Sequence, residues 1–128
     1  MEKIIIVVHG SSKREANNLK EFTKNLAETL NMKPEQVKYA YLQHGNPSLE
    51  EVLLKCIEEK AQRIIIHPLF LFSGIHVSFS IPEIIEKFRK SYPDIEIYCT
   101  KPLGLHEKLI YAVKERIEEV LFNLSSYK

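Results

Sequence analysis

Five consecutive β-branched residues, Ile4-Ile5-Ile6-Val7-Val8, stand near the start of the chain. An apolar run without polar alternation reads as a strand buried on both faces, and such strands belong to parallel sheets covered by helices. The rest of the chain keeps alternating. Ala16, Leu19, Phe22, Leu26 and Leu30 recur every three or four residues and predict a first helix. Val37 to Leu42 is a weaker second strand. Pro47-Ser48 opens a second helix, with Ser48 as N-cap, Glu51 completing a capping box, and Leu49, Val52, Leu53 and Cys56 as the apolar face. Arg63 to Leu71 reads as the third strand, with regular pairing expected to end near Pro68, which has no N–H for a ladder. Ile81, Ile84, Ile85 and Phe88 predict a short third helix with Pro82 in its first turn. Ile95 to Cys99 is the fourth strand. Leu109, Val113, Ile117, Val120 and Leu124 stripe a long last helix, and residues 125–128 are expected to fray as a C-terminal tail.

Four βα units joined by right-handed crossovers predict an α/β fold. The expected form is a single flavodoxin-like domain over residues 1–124, a four-stranded parallel sheet of order 2-1-3-4 flanked by helices on both faces. At 128 residues, 45 % apolar and 27 % charged, the chain can bury a core without staples. Eighteen Lys and Arg against 17 Asp and Glu leave a net charge of +1, which excludes the electrostatic footprint of a general nucleic-acid binder. Two cysteines, Cys56 and Cys99, exclude a disulfide scaffold and a four-thiolate zinc site. No apolar run approaches the roughly 18 residues of a membrane span, and no signal-peptide pattern opens the sequence. A cytoplasmic protein with reduced thiols is expected.

Ligands of such folds bind outside the carboxyl ends of the strands. There the sequence is richest. Each of the four glycines follows a strand and lies within two residues of a histidine: His9-Gly10, His44-Gly45, Gly74-Ile75-His76 and Gly104-Leu105-His106. Glycine permits tight turns and close approach of backbone to a ligand. Neutral imidazole binds divalent transition metals and accepts protons near pH 7. His67, inside the apolar third strand, reads instead as a core histidine satisfied by one hydrogen bond. Neither a Gly-x-Gly-x-x-Gly turn nor a phosphate-binding P-loop is present, so a nucleotide site loses its support. Ser11 and Ser12 cap the first helix, whose N-terminus can hold an anion, and Lys13 and Arg14 add positive charge there. Leu69 to Ile75 reads either as core or as the apolar wall of a pocket for a large flat ligand.

These residues resemble a known family. Val8-His9-Gly10-Ser11-Ser12 is similar to the His-Gly-Ser turn of the small class II chelatases, the sirohydrochlorin cobaltochelatases and nickelochelatases, with siroheme ferrochelatases as relatives. Ala40-Tyr41-Leu42 with Asn46-Pro47-Ser48-Leu49 resembles their second strand and following helix start. Pro68-Leu69-Phe70-Leu71-Phe72-Ser73-Gly74-Ile75-His76-Val77 matches best, and Ile81-Pro82-Glu83-Ile84-Ile85 and Pro102-Leu103-Gly104 fall at the expected places. The resemblance spans about residues 3–120.

The resemblance implies an enzyme, a lyase that inserts a divalent cation into sirohydrochlorin in cobalamin- or siroheme-type tetrapyrrole biosynthesis. Cobalt comes first, then nickel or iron, in each case as substrate rather than as a permanently bound cofactor. His76 maps onto the primary metal ligand and proton acceptor and His9 onto its partner. Gly10, Ser11 and Ser12 would hold ring carboxylates, and Leu69, Phe70, Leu71, Phe72, Ser73, Gly74 and Ile75 would cover one face of the macrocycle. A homodimer is implied, because longer members enclose the ring between two such lobes. No nucleic acid and no membrane enters. Three positions depart from the pattern: Gln43, Asn46 and Ser80 stand where many relatives carry acids. His44 would compensate as an extra ligand, and Glu83 is the nearest remaining carboxylate in sequence to His76. Loss of those acids keeps a second reading open, a non-catalytic tetrapyrrole or metal carrier on the same fold. A phosphate-handling hydrolase using His9 is disfavoured, since Val8 stands where a histidine phosphatase needs arginine.

Overall fold

The β-branched run forms the centre of the sheet. In a computed structural model of the protein, which describes residues 1–10, 13–43, 45–72 and 74–127 (side chains of 13–17, 75–78 and 127 excepted), the run lies in β1 (Glu2–Val8). There follow α1 (Lys13–Thr29), a 3-10 turn (Pro34–Gln36), β2 (Val37–Tyr41), α2 (Leu49–Glu58) and β3 (Arg63–Pro68). The chain continues through α3 (Ile75–Ser91), β4 (Glu96–Cys99), α4 (Leu109–Leu121) and a last 3-10 turn (Leu124–Tyr127). The four strands are parallel in the expected order β2-β1-β3-β4, with Ile6 between Tyr39 and His67.

Strand alternation divides the core. Ile5, Val7, Ile64, Ile66 and Ile97 point to one face, where α2 adds Leu49, Val52, Leu53 and Cys56 and α3 adds Ile81, Ile85 and Phe88. Ile4, Ile6 and Val37 point to the other, against Leu26 and Ala27 of α1, with Ile65 and Leu69 beside them. Regular pairing of β3 ends at Pro68, as the missing N–H requires. Lys3 is 2 % exposed; its Nζ lies 3.2 Å from Glu59 Oε1 and donates to the Glu35 carbonyl, while Lys38 Nζ approaches the same carboxylate at 3.0 Å.

The second helix matches its sequence. Ser48 Oγ accepts the Glu51 amide at 3.2 Å, and the expected four apolar residues are its buried ones. The other helices correct their expectations. Phe22 of α1 is exposed, as is Leu30 just past the helix end, and the buried positions are Thr23 and Ala27, with Leu19 and Leu26 half-buried. Thr23 can be buried because its hydroxyl donates to the Lys20 carbonyl, and Ala27 lets the helix approach the sheet. Ala16 belongs to the side chains outside the described set. α3 begins at Ile75, behind the N-cap Gly74, so Pro82 lies in its interior rather than its first turn. Helix continues past a proline when packing on both sides outweighs one lost hydrogen bond; here Ile81, Ile85 and Phe88 supply that packing. In α4 no residue is buried, although its apolar stripe is present. The expected frayed tail is wound into the 3-10 turn Leu124–Tyr127, and Lys128 lies outside the described residues.

Candidate active site

β1 ends at Val8 and delivers His9 to the carboxyl edge of the sheet. The exits of its neighbours are laced to it. The Leu42 amide donates to the Val8 carbonyl at 2.9 Å, Gln43 to the His9 carbonyl at 2.7 Å, and Leu69 to the Val7 carbonyl at 2.8 Å. The His9 backbone is thereby fixed from the β2 side and the β3 side together. Its exposed ring packs on Phe70, with centroids 4.7 Å apart and planes tilted by 45°.

The segment after β3 divides in two. Leu69 and Phe70 are anchored in the two cores, whereas Leu71 and Phe72 turn outward, 48 % and 74 % exposed. Exposed apolar side chains beside an imidazole held on Phe70 are the kind of surface that an apolar ligand covers. The segment after β4 joins this edge. The Gly104 amide donates to the Phe70 carbonyl at 2.9 Å, from a left-handed φ of +57° that glycine adopts without strain. Leu105 follows, 73 % exposed. Sequence reading passed over Leu105 as a member of the wall; an apolar residue between Gly104 and His106 was the available signal. Gly45 serves packing, since a Cβ there would stand 2.7 Å from Tyr41 Cγ, and Tyr41 is buried. At Gly74 a Cβ would meet nothing within 4 Å.

The other histidines separate by partner. His67 Nδ1 lies 2.7 Å from Thr100 Oγ1, and that hydroxyl donates to the Lys101 carbonyl. With its one proton committed, the hydroxyl must accept from His67, so the neutral imidazole carries its hydrogen on Nδ1. Burial holds the His67 pKa below its ordinary value of 6.5. The single hydrogen bond is the one expected from the sequence, but His67 is half-buried at the carboxyl edge of the sheet and belongs to neither core. His106 Nδ1 accepts the Lys108 amide at 3.1 Å and helps start α4, a local structural use.

Of the residues expected to bind substrate, Gly10 follows His9 at the exposed edge. Ser11, Ser12 and Ser73 lie outside the described residues, as does His44. Ile75 and His76 are the first two residues of α3, with side chains outside the described set. Among the described residues, no three His, Cys, Asp or Glu side chains are grouped to hold a metal. Gln43, Asn46 and Glu83 are exposed, and Ser80 is half-buried. A cavity of about 510 Å³ opens along β2 among Lys20, Thr23, Glu35, Tyr39 and Lys55, and none of the expected binding residues lines it.

A four-stranded, doubly wound α/β domain with a pinned imidazole and an outward apolar wall at its carboxyl edge is the architecture of a small-molecule site at the strand ends. The CbiX family model matches residues 3–120, and the chain belongs to that family. The chloroplastic sirohydrochlorin ferrochelatase of Arabidopsis thaliana is 35 % identical over 119 residues, 92 % of this chain and 52 % of that protein. The sirohydrochlorin cobaltochelatase of Sulfurisphaera tokodaii is 29 % identical over 121 residues, 94 % of this chain and 95 % of that one. The chain thus spans about half the length of the chloroplast protein and nearly all of the archaeal one. Among solved structures, SirB of Bacillus subtilis with Fe3+ superposes with a TM-score of 0.79 at 26 % identity, over 93 % of this chain and 47 % of that one. The CbiX protein of Marinobacter aquaeolei VT8 superposes at 0.77 over 94 % and 98 %; at 24 % identity, that likeness shows the fold. No helix of the described residues is long and apolar enough to cross a membrane.

Proposed function

We propose that this chain is a metal chelatase that inserts a divalent cation into sirohydrochlorin. The carrying observation is the meeting of His9 with the Phe70 anchor and the outward Leu71 and Phe72 at the carboxyl edge, in a chain of the CbiX family. An imidazole beside an apolar wall suits a flat macrocycle that must be held while its centre exchanges two N–H protons for a cation. His76 serves as primary metal ligand and proton acceptor, with His9 as its partner. Ser11, Ser12 and the amides near Gly10 hold ring carboxylates at the start of α1, where the helix dipole favours negative charge. Leu71, Phe72 and Leu105 cover a ring face, and the open space at Gly74 lets the ring approach the start of α3. Cobalt is the preferred metal, supported by the name of the full-length archaeal relative; nickel and iron suit the same imidazoles. Two lobes facing each other would close the ring between them, as a homodimer.

The departures at Gln43 and Asn46 support the carrier reading, since exposed amides cannot take up the released protons. Anaerobic incubation of the protein with sirohydrochlorin and Co2+, Ni2+ or Fe2+ decides between them, followed by the ring's absorption spectrum. Insertion well above the enzyme-free rate, abolished in His76→Ala and reduced in His9→Ala, is the expected result. Ring binding without acceleration for any metal would overturn the enzyme and leave the carrier.

A further inference from the structure

We propose that the cleft along the outer edge of β2 binds a short free peptide, paired through its main chain with Tyr39 and through its termini with the charges of the cleft. An edge strand offers unpaired N–H and C=O groups, and folds commonly block or cover them. At the β4 edge the outward Ile97 carbonyl is taken by Arg89, through Nε at 3.2 Å and Nη2 at 2.6 Å. The β2 edge is closed at its two ends instead. The Val37 amide donates to the Pro34 carbonyl, and the Tyr41 amide donates to the Pro47 carbonyl at 2.9 Å.

Tyr39 stands between these closures. The Leu42 amide donates inward, to the Val8 carbonyl of β1. Alternate residues of a parallel ladder face the same neighbour, so Tyr39, like Tyr41, turns its N–H and C=O away from β1. Among the described residues neither group has a partner. Tyr39 lines the cavity of about 510 Å³ that opens along this edge, and small-molecule pockets run from about 300 to 1,000 Å³. The cavity wraps the edge from both faces of the sheet. Thr23 of α1 lines one side and Val52 of α2 the other, and both are buried.

Three features select the ligand. The first is the backbone pair. A residue of an extended peptide laid antiparallel to β2 exchanges both hydrogen bonds with Tyr39 at once. The second is length. From Val37 to Tyr41 the strand runs about 13 Å at 3.3 Å per residue, which is the reach of an extended tripeptide with its end groups. The amides of Val37 and Tyr41 are already spent, so a longer strand finds no further ladder to join. The third is charge. Lys20 and Lys55 line the cleft from α1 and α2, and Glu35 and Glu51 line it with them. None of these four has an ion-pair partner among the described residues, whereas Lys38 is spent on Glu59. Two unspent cations beside two unspent carboxylates complement a ligand of both signs better than a simple anion. A free peptide carries an ammonium, a carboxylate and an amide between them in one extended molecule.

The test needs neither metal nor macrocycle, so its failure is separable from failure of the chelatase reading. Trialanine with free termini is titrated into the nitrogen-15-labelled full chain. The Tyr39 amide peak should move downfield and saturate. Trialanine methylated on its central nitrogen lacks the donor for the Tyr39 carbonyl and should bind about tenfold more weakly or worse. Lys20→Ala combined with Lys55→Ala should weaken binding by about threefold or more, with the far-ultraviolet dichroism unchanged. Acetylated and amidated trialanine, which has no terminal charges, should weaken it similarly. An unmoved Tyr39 peak would overturn the site, and equal binding of the methylated peptide would overturn the main-chain pairing. Equal binding of the capped peptide would overturn the choice of a free peptide. The same Tyr39 shift with acetate or inorganic phosphate would reduce the cleft to an anion site and overturn the peptide.

Discussion

At the scale of the residue, three imidazoles in one small chain are separated by what touches them. His106 spends Nδ1 on a backbone amide, and His67 spends its proton on a threonine hydroxyl. His9 is exposed, and its ring contact is with carbon, on Phe70. The last arrangement orients the ring through carbon and leaves its nitrogens to a ligand or a proton. Glycine identity matters in the same local way. Gly45 cannot take a Cβ without displacing the buried ring of Tyr41. Gly45→Ala should destabilise the fold by about 1–3 kcal/mol, the usual cost of overpacking, read as a lower urea midpoint at unchanged slope. Gly74→Ala faces open space and should cost only the loss of a preferred N-cap residue, at most about 1 kcal/mol. If the two variants behave alike, the steric account of Gly45 is wrong.

At the scale of the element, agreement between sequence and structure follows how completely a helix is enclosed. α2 is enclosed, and both its Ser48 cap and its buried face could be read from the sequence. α1 is covered on one side only, so Phe22 could rotate outward and Thr23 inward without breaking the three-four rhythm. α3 presents a helix running through Pro82, whose missing N–H leaves the Ser78 carbonyl without its intrahelical donor. Pro82 is exposed, so its ring is not required by the core. Pro82→Ala should therefore raise stability by about 1–3 kcal/mol, measured as a higher urea midpoint. A loss of stability would mean that α3 depends on the proline.

At the scale of the whole molecule, charge couples the sheet to pH. Glu59 is held below the ordinary carboxylate value of 4.5 chiefly by its hydrogen bond with Lys38, and by Lys3, against a smaller opposing effect of burial. Its folded pKa is depressed, so its contribution is present above the unfolded value of 4.5 and is lost as pH falls through the folded one. His67 titrates higher. Burial keeps it neutral in the folded state, so the unfolded chain binds the extra proton as pH drops below 6.5 and stability falls there too. Urea titrations should show two downward steps on acidification, one beginning near pH 6.5 and one below pH 4.5. His67→Gln should flatten the first and Glu59→Gln the second; a slope unchanged by either variant would refute its assignment.

What the sequence alone determined is local and periodic. The parallel sheet, the end of regular pairing at Pro68 and the clustering of glycine and histidine after the strands follow from strand runs, crossover handedness and proline's missing donor, while the strand order agrees with a flavodoxin-like analogy. The resemblance to chelatases is also carried by short segments, and family membership agrees with it. Tertiary structure decided which face of a stripe is used and against what. Periodicity shows that α4 is amphipathic but not that its apolar side stays exposed within the chain, because that depends on surfaces distant in sequence. It likewise decided that Phe70 turns inward to hold His9 while Leu71 and Phe72 face water. Neighbouring apolar residues look alike in sequence, and only the space left between two packed cores tells an anchor from a wall.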